Sequence, residues 1–129
     1  MTRILTGFLI VFLGGGFGAA LRHGVNMAAA RFVGMSFPYG TMFINVTGSL
    51  VMGLIGEYFA LKTGLHRGWL LFLTTGILGG YTTFSTFSLE AALLYERGQI
   101  GGAAAYVLGS VVLAIGGLFA GMAFVRMLV

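Results

Sequence analysis

The chain has 129 residues, of which 58% are hydrophobic and 8% are charged. A water-soluble domain of this length covers its surface with charged side chains, and seven Lys and Arg with three Asp and Glu are too few to do so. The net charge of +4 does not indicate a nucleic-acid partner, because the basic residues lie singly between apolar runs. The composition therefore predicts a membrane protein, and the absence of cysteine excludes disulfides and thiolate metal sites.

Four runs without a charged residue follow one another along the chain, and each is close to or above the ~20 residues that a helix needs to cross a bilayer. They cover residues 4–21, 32–56, 68–89 and 98–125, and short joints at residues 22–31, 57–67 and 95–97 separate them. The pattern predicts a single all-α domain over residues 1–129 with four transmembrane helices. Pro38, the only proline, is expected to open the second helix. The first run is not interpreted as a cleaved signal peptide, because three similar runs follow it.

The basic residues are divided almost evenly between the two sides that four spans define. One side carries Arg3, Lys62, Arg67 and Arg126, and the other carries Arg22, Arg31 and Arg97. Orientation normally follows an excess of Lys and Arg on the cytoplasmic side, and four against three gives almost none. Either a single charge still decides the orientation, or the chain inserts both ways and two copies meet antiparallel. We expect the second arrangement, a dual-topology antiparallel homodimer.

Small residues four positions apart are frequent among the 23 glycines, a spacing typical of helices that pack closely in membranes. The pairs are Gly14 with Gly18, Gly98 with Gly102, Gly117 with Gly121, and Ser49 with Gly53. Helices in such close contact leave little room for an aqueous lumen. A conduction path would therefore lie between subunits or along a narrow groove.

The third run has an unusual composition for the middle of a membrane helix. Gly79 and Gly80 are adjacent, and five Ser and Thr residues follow between positions 82 and 88. This composition weakens helix propensity and predicts a break in the helix, whose freed carbonyls would suit a cation. The alternative is an intact helix in which the hydroxyls bond back to carbonyls one turn earlier.

Phe84 and Phe87, three residues apart, share one helical face. They either pack against lipid and neighbouring helices or present the positive edges of their rings to an anion in a dry passage. Asn45 in the second run either binds another helix or donates its amide hydrogens to an anion. Tyr106 and Ser110, four residues apart in the fourth run, would extend such a polar track.

Ionisable groups lie at or near the ends of the runs. Arg22 either extends its guanidinium to the lipid headgroups or lines a vestibule that attracts anions. Glu57 and Glu90 lie at or near span ends, and both histidines lie in the joints. The sequence contains no nucleophile, metal or phosphate-binding motif of an enzyme, so we expect no enzymatic activity.

Three stretches together resemble one family of membrane proteins. They are residues 14–22 (Gly-Gly-Gly-Phe-Gly-Ala-Ala-Leu-Arg), residues 40–48 with Asn45, and residues 79–88 (Gly-Gly-Tyr-Thr-Thr-Phe-Ser-Thr-Phe-Ser) followed by Glu90. With the length and the number of runs, the sequence is similar over its whole extent to the fluoride channel family known as Fluc or CrcB. The third stretch is the specific one, whereas a glycine-rich first helix alone would be a weak signal.

The resemblance implies an antiparallel homodimer with two anion pathways, the third helix broken in mid-membrane, and a structural Na⁺ at the dimer centre. In this sequence the Na⁺ would be held by the backbone carbonyls of Gly79 and Thr82 of both subunits. The implied anion pathway consists of Asn45, Phe84, Ser85, Thr86, Phe87, Tyr106 and Ser110. Arg22 and Glu90 match vestibule positions. One departure is Ala114, where some members continue the polar track with Ser or Thr.

The function implied by the resemblance is passive export of cytoplasmic fluoride across a bacterial inner membrane, which confers fluoride resistance. The expected partners are the fluoride ion, a second copy of the chain and the lipid bilayer. The alternative is a small multidrug transporter, which exchanges hydrophobic cations for protons and needs a membrane-embedded carboxylate, ordinarily in the first helix. The first run has none, and Glu90 is the only substitute.

Overall fold

The computed structural model describes residues 2–129, and all regular secondary structure in that range is helical. The elements are α1 (Thr2–Phe32), α2 (Tyr39–Leu61), α3 (Arg67–Leu71), a π-helical segment (Phe72–Leu78), α4 (Gly79–Tyr81), α5 (Phe84–Glu96) and α6 (Ile100–Leu128). Three of these helices, α1, α2 and α6, are long and apolar enough to cross a membrane. The prediction of an all-α membrane protein is confirmed.

The predicted joint at residues 22–31 is wrong, because α1 continues through it to Phe32. This stretch contains Met27 and three consecutive alanines, which favour helix, and lone charged residues do not end a helix. The helix stops where Gly34 takes a positive φ of 100° and its amide, like that of Val33, donates to the carbonyl of Ala29. Pro38 directly precedes α2, and its carbonyl accepts from the amide of Met42 at 3.2 Å.

The two halves of the third charge-free run flank a short extended stretch. Residues 67–81 are helical, Thr82 and Thr83 have extended backbones, and α5 follows from Phe84. On α2, Gly48 lies beside Thr82, and further back Thr41 lies beside Glu90. The α5 half therefore runs antiparallel to α2. The first half runs parallel to α1, because Gly7 lies beside Leu71 and Gly18 lies beside Tyr81.

The first helix packs against the π-helical segment through glycines. Gly14 faces Gly76, and a Cβ built on Gly14 would approach the Cα of Gly76 to 2.9 Å. A Cβ on Gly18 would collide with the carbonyl of Ile77. The predicted role of Gly14 and Gly18 in close helix packing is confirmed.

α2 and α6 run side by side in the same direction. Gly117 packs near Leu50, Gly121 lies between Leu50 and Leu54, and Gly53 lies against Leu118. These contacts confirm close packing for the pairs that include Gly53 and Gly121.

At the C-terminal end of the α2–α6 pair, the Arg126 Nε donates to the buried carboxylate of Glu57 at 2.6 Å. The pair Gly98 and Gly102 was predicted wrongly. Gly98 forms the turn after α5 with φ 75°, and a Cβ on Gly102 would meet only the Gln99 side chain at 3.8 Å.

Gly121→Ala is expected to destabilise the fold, because its Cβ would lie 2.9 Å from the amide nitrogen of Leu54 and even closer to the carbonyl of Leu50. Overpacking of this kind costs about 1–3 kcal/mol. Thermal denaturation of the purified protein in detergent should show a midpoint lowered by several degrees. Gly116→Ala on the same helix is the matched control, since nothing described lies within 4 Å of its Cβ position. Equal midpoints for the two variants would contradict the packing assigned to Gly121.

Candidate functional site

The site begins at the two extended residues between α4 and α5. Thr82 has φ −77° and ψ 158°, and Thr83 has φ −153° and ψ 118°. The side chain of Asn45 on α2 binds this backbone twice: its Nδ2 donates to the carbonyl of Thr83 at 3.0 Å, and its Oδ1 accepts from the amide of Thr83 at 2.8 Å. A side-chain oxygen thus binds the Thr83 amide, which has lost its helical acceptor, and the side-chain NH₂ group adds a bond to the Thr83 carbonyl.

This arrangement leaves the carbonyls before the break without their helical donors, and those of Gly79 and Thr82 are among them. In a continuous helix the amide of Thr83 donates to Gly79 and the amide of Thr86 donates to Thr82. Here the amide of Thr83 binds Asn45, and the amide of Thr86 donates to the Thr83 hydroxyl at 3.2 Å. The carbonyl oxygens of Gly79 and Thr82 therefore suit a hard cation, which binds oxygen ligands. Across residues 2–129, no group of three or more His, Asp or Glu side chains stands close enough to hold a metal.

A groove of about 340 Å³ opens beside the extended residues. Its walls come from α2, the extended residues, α5 and α6, and include Asn45, Phe84, Phe87, Ser110 and Ala114. Ser110 is 4% exposed, and its hydroxyl has no hydrogen-bond partner within the described chain. Because an unpaired buried hydroxyl is costly, this atom indicates a place that a polar ligand or water occupies.

The two phenylalanines of the groove have different surroundings. Phe84 is 78% exposed, whereas Phe87 is buried. Their ring centroids lie 5.5 Å apart, and Phe87 packs on the ring of Tyr106 with centroids 5.2 Å apart. Phe87 is thus part of the protein core, while the edge of Phe84 is open to a ligand or a second subunit.

The hydroxyl groups at the start of α5 form a cluster around Thr83. The Thr83 hydroxyl donates to Thr86 Oγ1 at 3.1 Å and lies 3.4 Å from Ser85 Oγ. It also caps α5 by accepting from the amide of Thr86. Ser85 and Thr86 are outside the lining of the groove.

The carboxylate of Glu90 receives two hydroxyl hydrogen bonds. Thr41 Oγ1 donates to its Oε1 at 3.0 Å, and Tyr106 OH donates to its Oε2 at 2.7 Å. Tyr106 is fully buried, so it lies behind the groove wall and does not line it. Glu90 itself lines a second cavity of about 410 Å³, near the end of α5, together with Arg97.

A known protein family matches most of the chain. The model of the family described as "CrcB-like protein, Camphor Resistance (CrcB)" matches residues 9–122. The chain belongs to the CrcB family. A protein of Rhodopseudomonas palustris (strain BisB5) named fluoride-specific ion channel FluC is 66% identical over 119 residues, which is 92% of this chain and 96% of the relative.

Two further relatives match the same share of this chain. A FluC 2 protein of Nitrobacter hamburgensis is 62% identical over 92% of this chain and 96% of its own length, and a FluC protein of Methylobacterium nodulans is 63% identical over 92% and 94%. These relatives are bacterial, and the CrcB chain has three helices long and apolar enough to span a bilayer. It is a multi-pass protein of the cell inner membrane.

Arg22, which was also predicted from the resemblance to the CrcB family, lies apart from the groove and from the residues around Thr83. Arg22 is half-buried on α1, and it lines neither the groove nor the cavity of Glu90. Sequence reasoning assigned no individual role to Thr83 and Thr41. Thr41 precedes Asn45 by four residues and therefore shares its helical face, which is a signal that points to it.

Proposed function

We propose that this CrcB chain forms a fluoride-selective passive channel, the function named for its relatives. The observation that carries the proposal is the groove beside the extended residues. It combines the unpaired hydroxyl of Ser110, the second amide hydrogen of Asn45 and the edges of two phenyl rings, and no charged residue lines it. Hydrogen-bond donors and ring edges replace the hydration of a small anion, while a full positive charge would hold the anion too tightly for conduction.

The proposed channel has four spans, with α3, the π-helical segment, α4 and α5 forming the third. Support comes from their directions. α5 runs antiparallel to α2, where Glu90 contacts Thr41, and the preceding half runs parallel to α1, where Gly7 lies beside Leu71 and Gly18 beside Tyr81. The break between Tyr81 and Phe84 then falls within the membrane, where irregular backbone is tolerated only inside protein or along a cavity. The hydrogen bonds of Asn45 and the groove meet that condition.

The proposed assembly is an antiparallel dual-topology homodimer. The near-equal division of Lys and Arg between the two sides supports insertion in both orientations. Phe84 supports a second subunit, because this ring beside the break is 78% exposed and has Phe87 as its aromatic neighbour in the described part of the protomer. Two copies related by a two-fold axis in the membrane plane would bring their breaks together.

The proposed cofactor is a structural Na⁺ at the centre of that dimer. Its ligands would be the carbonyls of Gly79 and Thr82, which have lost their helical donors, from both subunits. A bound cation would supply the partner that these oxygens lack and fix the two breaks against each other. The CrcB chain needs no side-chain ligand for it.

Passive conduction is enough for export. Fluoride that enters an acid-exposed cell as HF is trapped inside as the anion. With the cell interior negative, each exported charge gains ~2.3 kcal/mol per 100 mV, so the membrane potential alone drives fluoride outward. No coupling ion or nucleotide is required.

The multidrug-transporter alternative is not favoured by the carboxylates of the described helices. α1 contains no acidic residue. Glu57 is paired with Arg126, and Glu90 accepts hydrogen bonds from two hydroxyls. Both carboxylates are thus engaged within the protomer, and neither lines the groove.

Proteoliposomes loaded with fluoride or chloride test the proposal directly. Ion-selective electrodes should record rapid fluoride loss once valinomycin relieves the voltage, while chloride is retained. Absence of fluoride loss from confirmed dimers would overturn the proposed function. Proton-coupled transport through Glu90 would then be the next hypothesis.

A further inference from the structure

Thr83 is the residue at which the hydrogen bonds of the site converge. It is 7% exposed, its backbone holds the amide of Asn45, and its hydroxyl contacts Ser85 and Thr86. We propose that Thr83 is a positioning residue for the permeating anion, which fixes the amide of Asn45 in the lining of the groove and the hydroxyl of Thr86 directly behind that lining. This inference rests on the proposed fluoride channel and adds to it the element that fixes its donors.

The proton of the Thr86 hydroxyl is left unused by the hydrogen bonds around Thr83. A threonine hydroxyl has one proton to donate and two lone pairs to accept. Thr83 gives its proton to Thr86 Oγ1 and receives the amide of Thr86, and the nearby Ser85 hydroxyl can only donate to it. The hydroxyl of Thr86 already accepts, and its own proton meets no acceptor among residues 2–129. That proton is therefore directed away from the cluster.

The environment strengthens this donor. Hydrogen bonds arranged in series polarise one another, so a hydroxyl that accepts becomes a better donor. The series runs from Ser85 through Thr83 to Thr86, on the turn that carries both Phe84 and Phe87. A small anion beside these rings would receive a donor that is held in one orientation before the anion arrives.

Thr83 also fixes the side chain of Asn45. Its oxygen and one of its two amide hydrogens bind the backbone of Thr83, which fixes the plane of the side chain. The Asn45 side chain lines the groove, and its second amide hydrogen meets no acceptor among residues 2–129. Since the Thr83 hydroxyl caps α5 at this point, it also stabilises the extended backbone to which Asn45 binds.

The test compares Thr83→Val, which keeps the shape and removes the hydroxyl, with Thr83→Ser, which keeps the hydroxyl. Fluoride and chloride efflux are measured on dimer fractions in proteoliposomes. We expect Thr83→Val to lower the ratio of fluoride to chloride efflux by about tenfold or more, as for the loss of one hydrogen bond to an ion. Thr83→Ser should stay within about twofold of wild type.

Thr74→Val is the matched control. It removes a hydroxyl that donates to the carbonyl of Leu70 at 2.7 Å in the same charge-free run, outside the groove. A purely structural role for Thr83 would change thermal stability and dimer yield, and would leave the ion ratio unchanged. An unchanged ratio in Thr83→Val, or equal losses in the Ser or Thr74 variants, would overturn the inference.

Should Thr83→Val fail to form dimers, Thr83→Ala and Thr83→Ser decide the question, because Ala and Ser differ only by the hydroxyl. A lower ion ratio in the Ala variant supports positioning, and equal ratios refute it. Wild-type protein is assayed in the same series. If wild type itself releases no fluoride, the proposed function fails; if wild type does and Thr83→Val matches it, only the positioning role fails.

Discussion

Asn45→Ala is expected to lower fluoride efflux by on the order of 100-fold, because it removes two hydrogen bonds of about 1–2 kcal/mol each at the break. The amide and carbonyl of Thr83 would lose partners at 2.8 and 3.0 Å in surroundings where water does not replace them. The extended conformation of Thr82 and Thr83 would lose its main support. Efflux from proteoliposomes, together with size-exclusion chromatography of the purified protein, measures both consequences.

Thr47→Val provides the control on the same helix. The Thr47 hydroxyl donates to the carbonyl of Phe43 at 2.7 Å and lies 3.1 Å from Tyr81 OH, so this variant also removes side-chain hydrogen bonds of α2 but none to Thr82 or Thr83. Asn45→Asp keeps an acceptor for the Thr83 amide and has no hydrogen to donate, and it should be as inactive as Asn45→Ala. Dimers of Asn45→Ala that conduct at the wild-type rate would show that the break does not depend on this amide.

Phe84→Ile is expected to reduce fluoride efflux by about tenfold or more without preventing assembly, since an aliphatic side chain has no positive ring edge. Phe84 is exposed in the protomer, so its loss leaves no cavity in the core. Phe87→Ile should reduce efflux as well and should also lower thermal stability, because Phe87 packs on the ring of Tyr106.

The control for these variants is Phe119→Ile, which replaces an exposed ring on α6 that does not line the groove. Efflux in Phe119→Ile should equal that of wild type. Wild-type efflux in both purified Phe84 and Phe87 variants would remove the phenyl rings from the proposed mechanism.

The helices themselves were largely predictable, because charge-free runs of sufficient length have few other structures available to them. Their ends were less so. The predicted joint at residues 22–31 is wrong because isolated charges do not end a helix. The end of α1 is set by Gly34, a glycine with positive φ in the following turn. Gly98 was predicted to lie in a helix contact and lies in a turn, because spacing along the sequence does not distinguish these two roles of glycine.

The candidate site was predictable in its residue types and less so in its hydrogen bonds. The motif of residues 79–88 pointed to Phe84 and Phe87, and Asn45 was singled out as a buried amide, and all three line one groove. The roles of Thr83 and Thr41 depend on the register of α2 against α5, which places residues 38 and 49 positions apart in contact. Sequence periodicity within one helix carries no information on that register. The π-helical segment was likewise not predicted.

The hydrogen bonds between Asn45 and Thr83 also have a consequence for insertion of the chain into the membrane during synthesis. Chains enter the membrane from the N-terminus onward, and a break with unpaired backbone groups is costly in lipid. Asn45 lies 38 residues before Thr83, so in the proposed four-span arrangement the side chain that binds the break is already in the bilayer when the break is inserted. Because α2 precedes the break along the chain, Asn45 is available to bind Thr83 as soon as the break is inserted. A permuted chain that places α2 last would have to insert the break without this partner.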